Sequence, residues 1–384
     1  MLRRLFCLLL TASLLGGCSI FGSKDNAEPP AELKDFKARV RLHELWSHST
    51  GEGTDEQRLK LLPAVDGNRV YVADRNGAIS AYELDSGKLA WRNKTKLAIS
   101  AGAGVGDGLV LAGSSEGRLV ALDAETGKQR WITDVPSEVL AVPRVYDDIV
   151  IVQTVDGTIS ALKAQDGEHL WLYDRSVPVL TLRGTSSPLV QGGVVIAGFA
   201  NGKLVALDVS SGREVWSAAV AVPRGRTELQ RIVDLDADAV IAGGVLYAGS
   251  YQGRLVAVSL QDGRILWNRD MSTYAGLSVD SSQVLVSDAN SEVWAIDRRT
   301  GRSLWKQAEL RQRNLTGPAS IDDYVAVGDF EGYLHLLSRS DGSIVGRTRV
   351  DSEGIQATPL TVVGDRLLVL GAGGTLALYQ LEAS

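Results

Sequence analysis

The stretch "EGRLVALDAETGKQRW", residues 116–131, carries a whole structural unit. Leu119 and Ala121 alternate with outward positions as a strand requires, and Thr126-Gly127 supplies a turn. A second strand follows and ends in Trp131. The unit recurs as "NGAISAYELDSGKLAW" to Trp91, "DGTISALKAQDGEHLW" to Trp171, "NGKLVALDVSSGREVW" to Trp216, "QGRLVAVSLQDGRILW" to Trp267 and "NSEVWAIDRRTGRSLW" to Trp305. A seventh copy, "EGYLHLLSRSDGSIVG", has Gly346 where the others have Trp. These seven copies share a length of 16 residues without a gap, which chance does not produce.

Upstream of most copies lie two more short apolar runs, such as "RVYDD" and "IVIVQTV" before residue 156. Four strands in about 40 residues is the signature of a β-propeller blade. One such sheet cannot bury both faces alone, but sheets arrayed around an axis cover one another. Small residues such as Ala81, Ala121, Ala161 and Ala206 suit close packing between blades, and the Trp side chains suit wedging there.

An eighth copy, "GGTLALYQLEAS", begins at Gly373 and has no Trp strand after it. Near the start, "RVRLHELWSH" offers a Trp strand with nothing before it. Joined in space, the two complete one blade and close the ring, leaving no open edge. The predicted fold is all-β: an eight-bladed β-propeller over residues 38–384, with four-stranded antiparallel blades and the N-terminal strand as the closure. Trp46 then joins Trp91, Trp131, Trp171, Trp216, Trp267 and Trp305 as docking residues. The pattern A-x-D-x-x-T-G-x-x-x-W, complete at Ala121–Trp131 and Ala295–Trp305, resembles the tryptophan-docking motif of quinoprotein (PQQ) propellers. That resemblance implies a fold and says little about function.

Before the propeller comes an address. Arg3 and Arg4 precede an apolar run from Leu5 to Leu15, then small residues, the layout of a secretory signal. "Leu15-Gly16-Gly17-Cys18" resembles the lipobox of bacterial lipoproteins, which implies a signal peptide over 1–17 and an acylated Cys18 as first mature residue. Cys7 leaves with the signal, so no disulfide is expected. Several acyl chains together make a firm anchor. Ser19 rather than Asp after the Cys points to the outer membrane, periplasmic face. Residues 18–37, with Pro29 and Pro30, read as lipidated Cys and flexible tether.

Composition narrows the function. The chain is 45% hydrophobic over 384 residues, with a net charge of −6 and no basic patch, so nucleic-acid binding is not expected. "HELWSH" (43–48) looks like a zinc-protease signature, but its His residues stand five apart instead of four. On a helix that spacing turns the second ring about 140° away. On a strand it sends the two to opposite faces, so no metal site is expected. Asp85, Asp123, Asp166 and Asp262 recur at turns and read as turn formers. A quinoprotein dehydrogenase needs a quinone pocket, a Ca²⁺ site and a catalytic Asp. No dedicated acidic cluster supplies these, so no cofactor and no enzyme is expected, with the PQQ-dependent dehydrogenase as the alternative.

Long Trp-to-Trp steps of 45 and 51 residues follow Trp171 and Trp216 on consecutive blades; the step after Trp46 is also 45, and the others are 38–40. The extra residues fall in 174–188 and 219–240, and long loops on a rigid scaffold are where binding concentrates. Their segments "VPVLTLRG" and "RTELQRIVDLDAD", with the lipobox and the eight-bladed repeat, resemble the BamB family of lipoproteins. Members serve the outer-membrane β-barrel assembly (BAM) machine. The resemblance implies that Leu180, Leu182 and Arg183, with Asp234 and Asp236, bind BamA through its periplasmic POTRA domains, and through it the other BAM subunits. An Arg among apolar residues is an anchor that interfaces favour. The hypothesis that nascent β-barrel precursors add a strand here has only the short outer edges that the closed ring leaves.

Overall fold

The computed structural model describes residues 28–51, 53–54, 59–174, 186–221, 226–227, 233–235, 237–355 and 360–383. Contacts divide the chain after Pro30, and the unit Ala31–Ser384 carries every described strand. All regular secondary structure among the described residues is β-strand, arranged in eight sheets.

Blades 1 to 7 span residues 64–94, 99–134, 144–173, 189–219, 240–270, 277–307 and 319–349. Each contains an antiparallel series of four strands in chain order, as expected from the repeat. Blade 8 combines Thr361–Val363, Arg366–Leu370 and Thr375–Ala383 with the strand Val40–Ser49 from the other end of the chain. Their antiparallel register runs from Val40 opposite Ala383 to Ser49 opposite Thr375. The predicted ring closure is therefore present.

Blade 2 departs from the four-strand expectation. A fifth strand, Lys60–Leu61, pairs in parallel with the innermost strand Ile99–Gly106, placing Lys60 opposite Ala101. Two residues carry no readable periodicity, so sequence pattern does not reveal such a strand.

The core lies between blades. One apolar cluster joins Ile79 and Ala81 of blade 1 to Val110, Ala112, Val120 and Leu122 of blade 2, and similar clusters recur around the ring. Ala81, Ala121, Ala161, Ala206, Ala257 and Ala295 occupy equivalent third-strand positions, each opposite the docking Trp, and are all fully buried. A methyl group there lets the neighbouring sheet approach, and dense contact follows.

The chain entering the closure strand is fastened to blade 7. The Ala31 N–H donates to the Arg311 carbonyl at 2.9 Å, and Arg313 Nη1 donates to the Ala31 carbonyl at 3.0 Å. Arg347 Nη1 donates to the Lys34 carbonyl at 3.2 Å and its guanidinium lies over Phe36. Beneath this strap sits fully buried His335. Arg347 Nε donates to His335 Nδ1 at 3.1 Å, so the ring proton is on Nε2, which donates to Asp329 Oδ2 at 2.9 Å. Burial holds the His335 imidazole below its ordinary pKa, with Arg347 and Arg313 adding to that and Asp329 opposing it.

Candidate functional site

The docking residues rigidify the scaffold on which any binding surface depends. In each outer strand the pairing register slips just before the docking position. Ala81 faces Trp91 while Tyr82 faces Leu89, and Ala257 faces Trp267 while Val258 faces Ile265. The extra residue is a β-bulge, which re-aims the next side chain. Bulged Leu45, Leu170, Val215, Leu266 and Leu304 point to solvent, and the following Trp turns toward the next blade.

Each indole N–H then donates to a backbone carbonyl of that next blade. Trp46 reaches Leu84, Trp91 reaches Ala124 and Trp131 reaches Ala164, at 2.8–2.9 Å. Trp171, Trp216, Trp267 and Trp305 reach Val209, Leu260, Arg298 and Arg339 at 2.8–3.0 Å. The indole lies flat on the turn glycine of the repeat. At Gly87, Gly127, Gly167, Gly212, Gly263, Gly301 and Gly342, an added Cβ would stand less than 3.0 Å from the docked ring. These glycines also have φ between +65° and +77°, which other residues adopt at a cost.

The eighth junction explains the lost Trp. A Cβ on Gly346 would meet the Val40 carbonyl oxygen at 2.8 Å, and the Arg39 N–H donates to the Val345 carbonyl at 2.8 Å. The incoming chain occupies the place of the indole. The turn Asp residues hold backbone N–H groups in two ways. Asp123 Oδ1 accepts from Thr126 N and Oγ1 at 2.8 and 2.7 Å, and these bonds with Arg130 lower its pKa to about 2. Asp166 and Asp262 accept from the N–H two residues on. Asp85 instead receives Arg366 Nη1 at 2.8 Å.

"HELWSH" forms part of the closure strand, and the expectation of opposite faces needs correction. The bulge at Leu45 shifts parity, so His43 faces Gln380 and His48 faces Leu376, two positions of equal parity. Four steps along a strand still separate them by about 13 Å. His48 stacks on Trp46 and Tyr82, with ring centroids 5.6 and 5.7 Å away.

Antiparallel order puts all connections between blades on one face. The chain therefore enters blade 4 at Leu189 and leaves it at Ala219 on the same side. The described ends of the connections 174–188 and 220–239 meet. Asp238 Oδ1 accepts the Ser187 N–H at 2.6 Å and Lys60 Nζ at 2.7 Å. The Val142 N–H donates to Ser187 Oγ, and Arg144 Nε donates to the Pro188 carbonyl, both at 3.2 Å. A Cβ on Gly198 of blade 4 would touch Ser186 Oγ at 2.7 Å and Leu235 Cβ at 2.9 Å, so both connections also press on one glycine. Burial alone would raise the Asp238 carboxyl; the Lys60 ammonium, the Ser187 N–H and Arg144 more than offset it, leaving the pKa below the usual range.

Of the residues expected to contact a partner, Asp234 is described and is fully buried, its carbonyl accepting the Tyr251 N–H at 2.9 Å. Its carboxylate presents no exposed surface in this conformation. Leu180, Leu182, Arg183 and Asp236 lie outside the described residues, as does Cys18. Sequence reasoning passed over Asp238 and Lys60. No local signal marks this pair, whose members stand 178 positions apart.

Fold and docking pattern define a tryptophan-docked, eight-bladed propeller of the quinoprotein-like class. The comparison with solved structures includes a quinohemoprotein alcohol dehydrogenase of Pseudomonas putida at TM-score 0.72, with 14% identity over 89% of this chain and 76% of that one, a likeness of fold alone. The crystal structure of BamB from Moraxella catarrhalis matches at TM-score 0.81 and 32% identity, over 88% of this chain and 99% of that one. A family model described as outer membrane protein assembly factor BamB matches residues 43–99, 76–307 and 303–383. The outer membrane protein assembly factor BamB of Pseudomonas aeruginosa is 52% identical over 375 residues, 98% of each chain. That of Alkalilimnicola ehrlichii is 49% identical over 379 residues, 99% of this chain and 97% of the relative. The chain belongs to the BamB family.

Proposed function

We propose that the protein is a non-catalytic scaffold for outer-membrane β-barrel assembly. Acylated Cys18 holds it at the periplasmic face of the outer membrane. It binds the POTRA domains of BamA, and through BamA it joins the other BAM subunits. Family membership supports the assembly role, since the relatives are named outer membrane protein assembly factors. The observation that carries the binding site is the convergence of connections 174–188 and 220–239 on Asp238. Anchoring the described ends of both connections at one point of a rigid ring lowers the entropy lost on binding.

In this reading Leu180, Leu182, Arg183 and Asp236 face BamA, and buried Asp234 supports the second connection from beneath. The quinoprotein alternative draws on fold alone. The axial edge of blade 2 carries Lys60–Leu61, where a quinone enzyme needs room for its cofactor. Strand addition by barrel precursors belongs to the same proposal, at outer edges that the bulges interrupt. The test is co-purification from membranes. Arg183→Glu should leave a folded propeller that recovers much less BamA; undiminished recovery refutes the assignment.

A further inference from the structure

The Lys60–Asp238 contact reaches across the fold. Lys60 stands on the axial strand of blade 2, while Asp238 lies just before the innermost strand of blade 5, Val240–Ala242. The stem under Lys60 is firmly held. Leu59 and Leu61 are buried in the core between blades 1 and 2. The Leu62 N–H donates to the Gly102 carbonyl at 2.7 Å, and the Ala103 N–H donates to the Leu62 carbonyl at 2.9 Å. The ammonium is therefore presented from a fixed point. Both side chains of the pair are largely buried, at 17% and 18% exposure, where salt screens little.

The oxygen that receives Lys60 is the one that receives the Ser187 N–H. Ser187 ends the first long connection and Asp238 ends the second. Arg144 adds positive charge beside the carboxylate and holds the neighbouring Pro188 carbonyl. Neutral packing alone would not need a lysine here. A charged donor makes a shorter and stronger hydrogen bond to a carboxylate than a neutral donor does.

We infer that Lys60 is a positioning residue for the partner-binding face, holding Asp238 and through it the ends of both long connections in register. This rests on the assignment of that face to BamA. In this inference Lys60 acts through Asp238 and not as a contact residue. Its charge meets that of Asp238, so removing either charge should disturb the same arrangement.

The experiment uses the full mature protein and the tandem POTRA domains of BamA, with affinity measured by calorimetry. Lys60→Met should weaken binding by about tenfold, within the range usual for coupled sites. Lys60→Arg should restore most of the loss, which a merely space-filling role would not predict. Asp238→Asn keeps an oxygen for Ser187 but loses the charge, and should weaken binding by a similar factor, so the inference stands testable if Lys60→Met does not fold. The double variant should bind no more weakly than the worse single variant, because both substitutions break the same Lys60–Asp238 contact. If Arg183→Glu weakens binding while folded Lys60→Met and Asp238→Asn bind like wild type, the inference about Lys60 is overturned and the face remains. If none of the variants changes affinity, the assignment of the face falls, and the inference with it.

Discussion

The docking of indole on glycine makes a quantitative prediction through a double-mutant cycle at Trp305 and Gly342. Trp305 is 9% exposed and donates to the Arg339 carbonyl at 2.8 Å. Trp305→Ala removes the buried ring and the bond, which costs about 3–5 kcal/mol. Gly342 has φ +73°, and a Cβ there would stand 2.5 Å from Trp305 Cε3, 2.9 Å from Cζ3 and 3.1 Å from Cδ2. Gly342→Ala therefore carries two penalties. The left-handed backbone costs about 1–2 kcal/mol, and forcing a methyl into the packed ring costs about 1–3 kcal/mol more. In the Trp305→Ala background the ring is gone and only the backbone penalty remains. The double variant should thus be less destabilised than the sum of the singles by about 1–3 kcal/mol. Urea unfolding followed by far-UV circular dichroism gives the four stabilities. Additivity within about 0.5 kcal/mol would refute the contact as the reason for glycine, since unrelated sites add to that tolerance.

Three further outcomes are expected. Gly346→Trp restores the repeat on paper but collides with Val40, so it should destabilise the ring and speed proteolysis of the closure strand; a wild-type melting temperature would contradict the closure account. His335 is held neutral in the fold, so an unfolded chain binds the extra proton first as pH falls below about 6.5. Stability should decline from pH 7 to pH 5, and His335→Gln should flatten that slope. Its surroundings are Asp329, Arg347, Arg313 and Tyr333, of which the two guanidiniums oppose protonation and Asp329 favours it. Finally, Cys18→Ala should move the protein from the membrane fraction to the soluble periplasm, read by fractionation and immunoblot.

Sequence and structure agree where the information is local and repeated. Copies of one strand-turn-strand unit specify the blades, and Asp123, Asp166 and Asp262 accept hydrogen bonds from backbone N–H groups of their own turns. The bulge before each Trp is not visible in the sequence, because strand pairing and not residue type creates it. The missing Trp at Gly346 is plain in the sequence, while its cause, Val40, comes from the opposite end of the chain. Asp234 reads as a surface acid from its charged neighbourhood and is buried because Leu235 beside it joins the core between blades 4 and 5. Lys60 and Asp238 belong to no repeat, and only closure of the ring brings them together.

In the proposed role, two loops on one face of this propeller bind BamA. This role is tested most directly by titrating the purified protein with the POTRA domains of BamA, wild type against Arg183→Glu, at physiological ionic strength. The account predicts saturable binding by the wild type and an affinity at least about tenfold weaker for the variant, a loss typical of an interfacial Arg hot spot. Equal affinity, with both proteins folded, would contradict it.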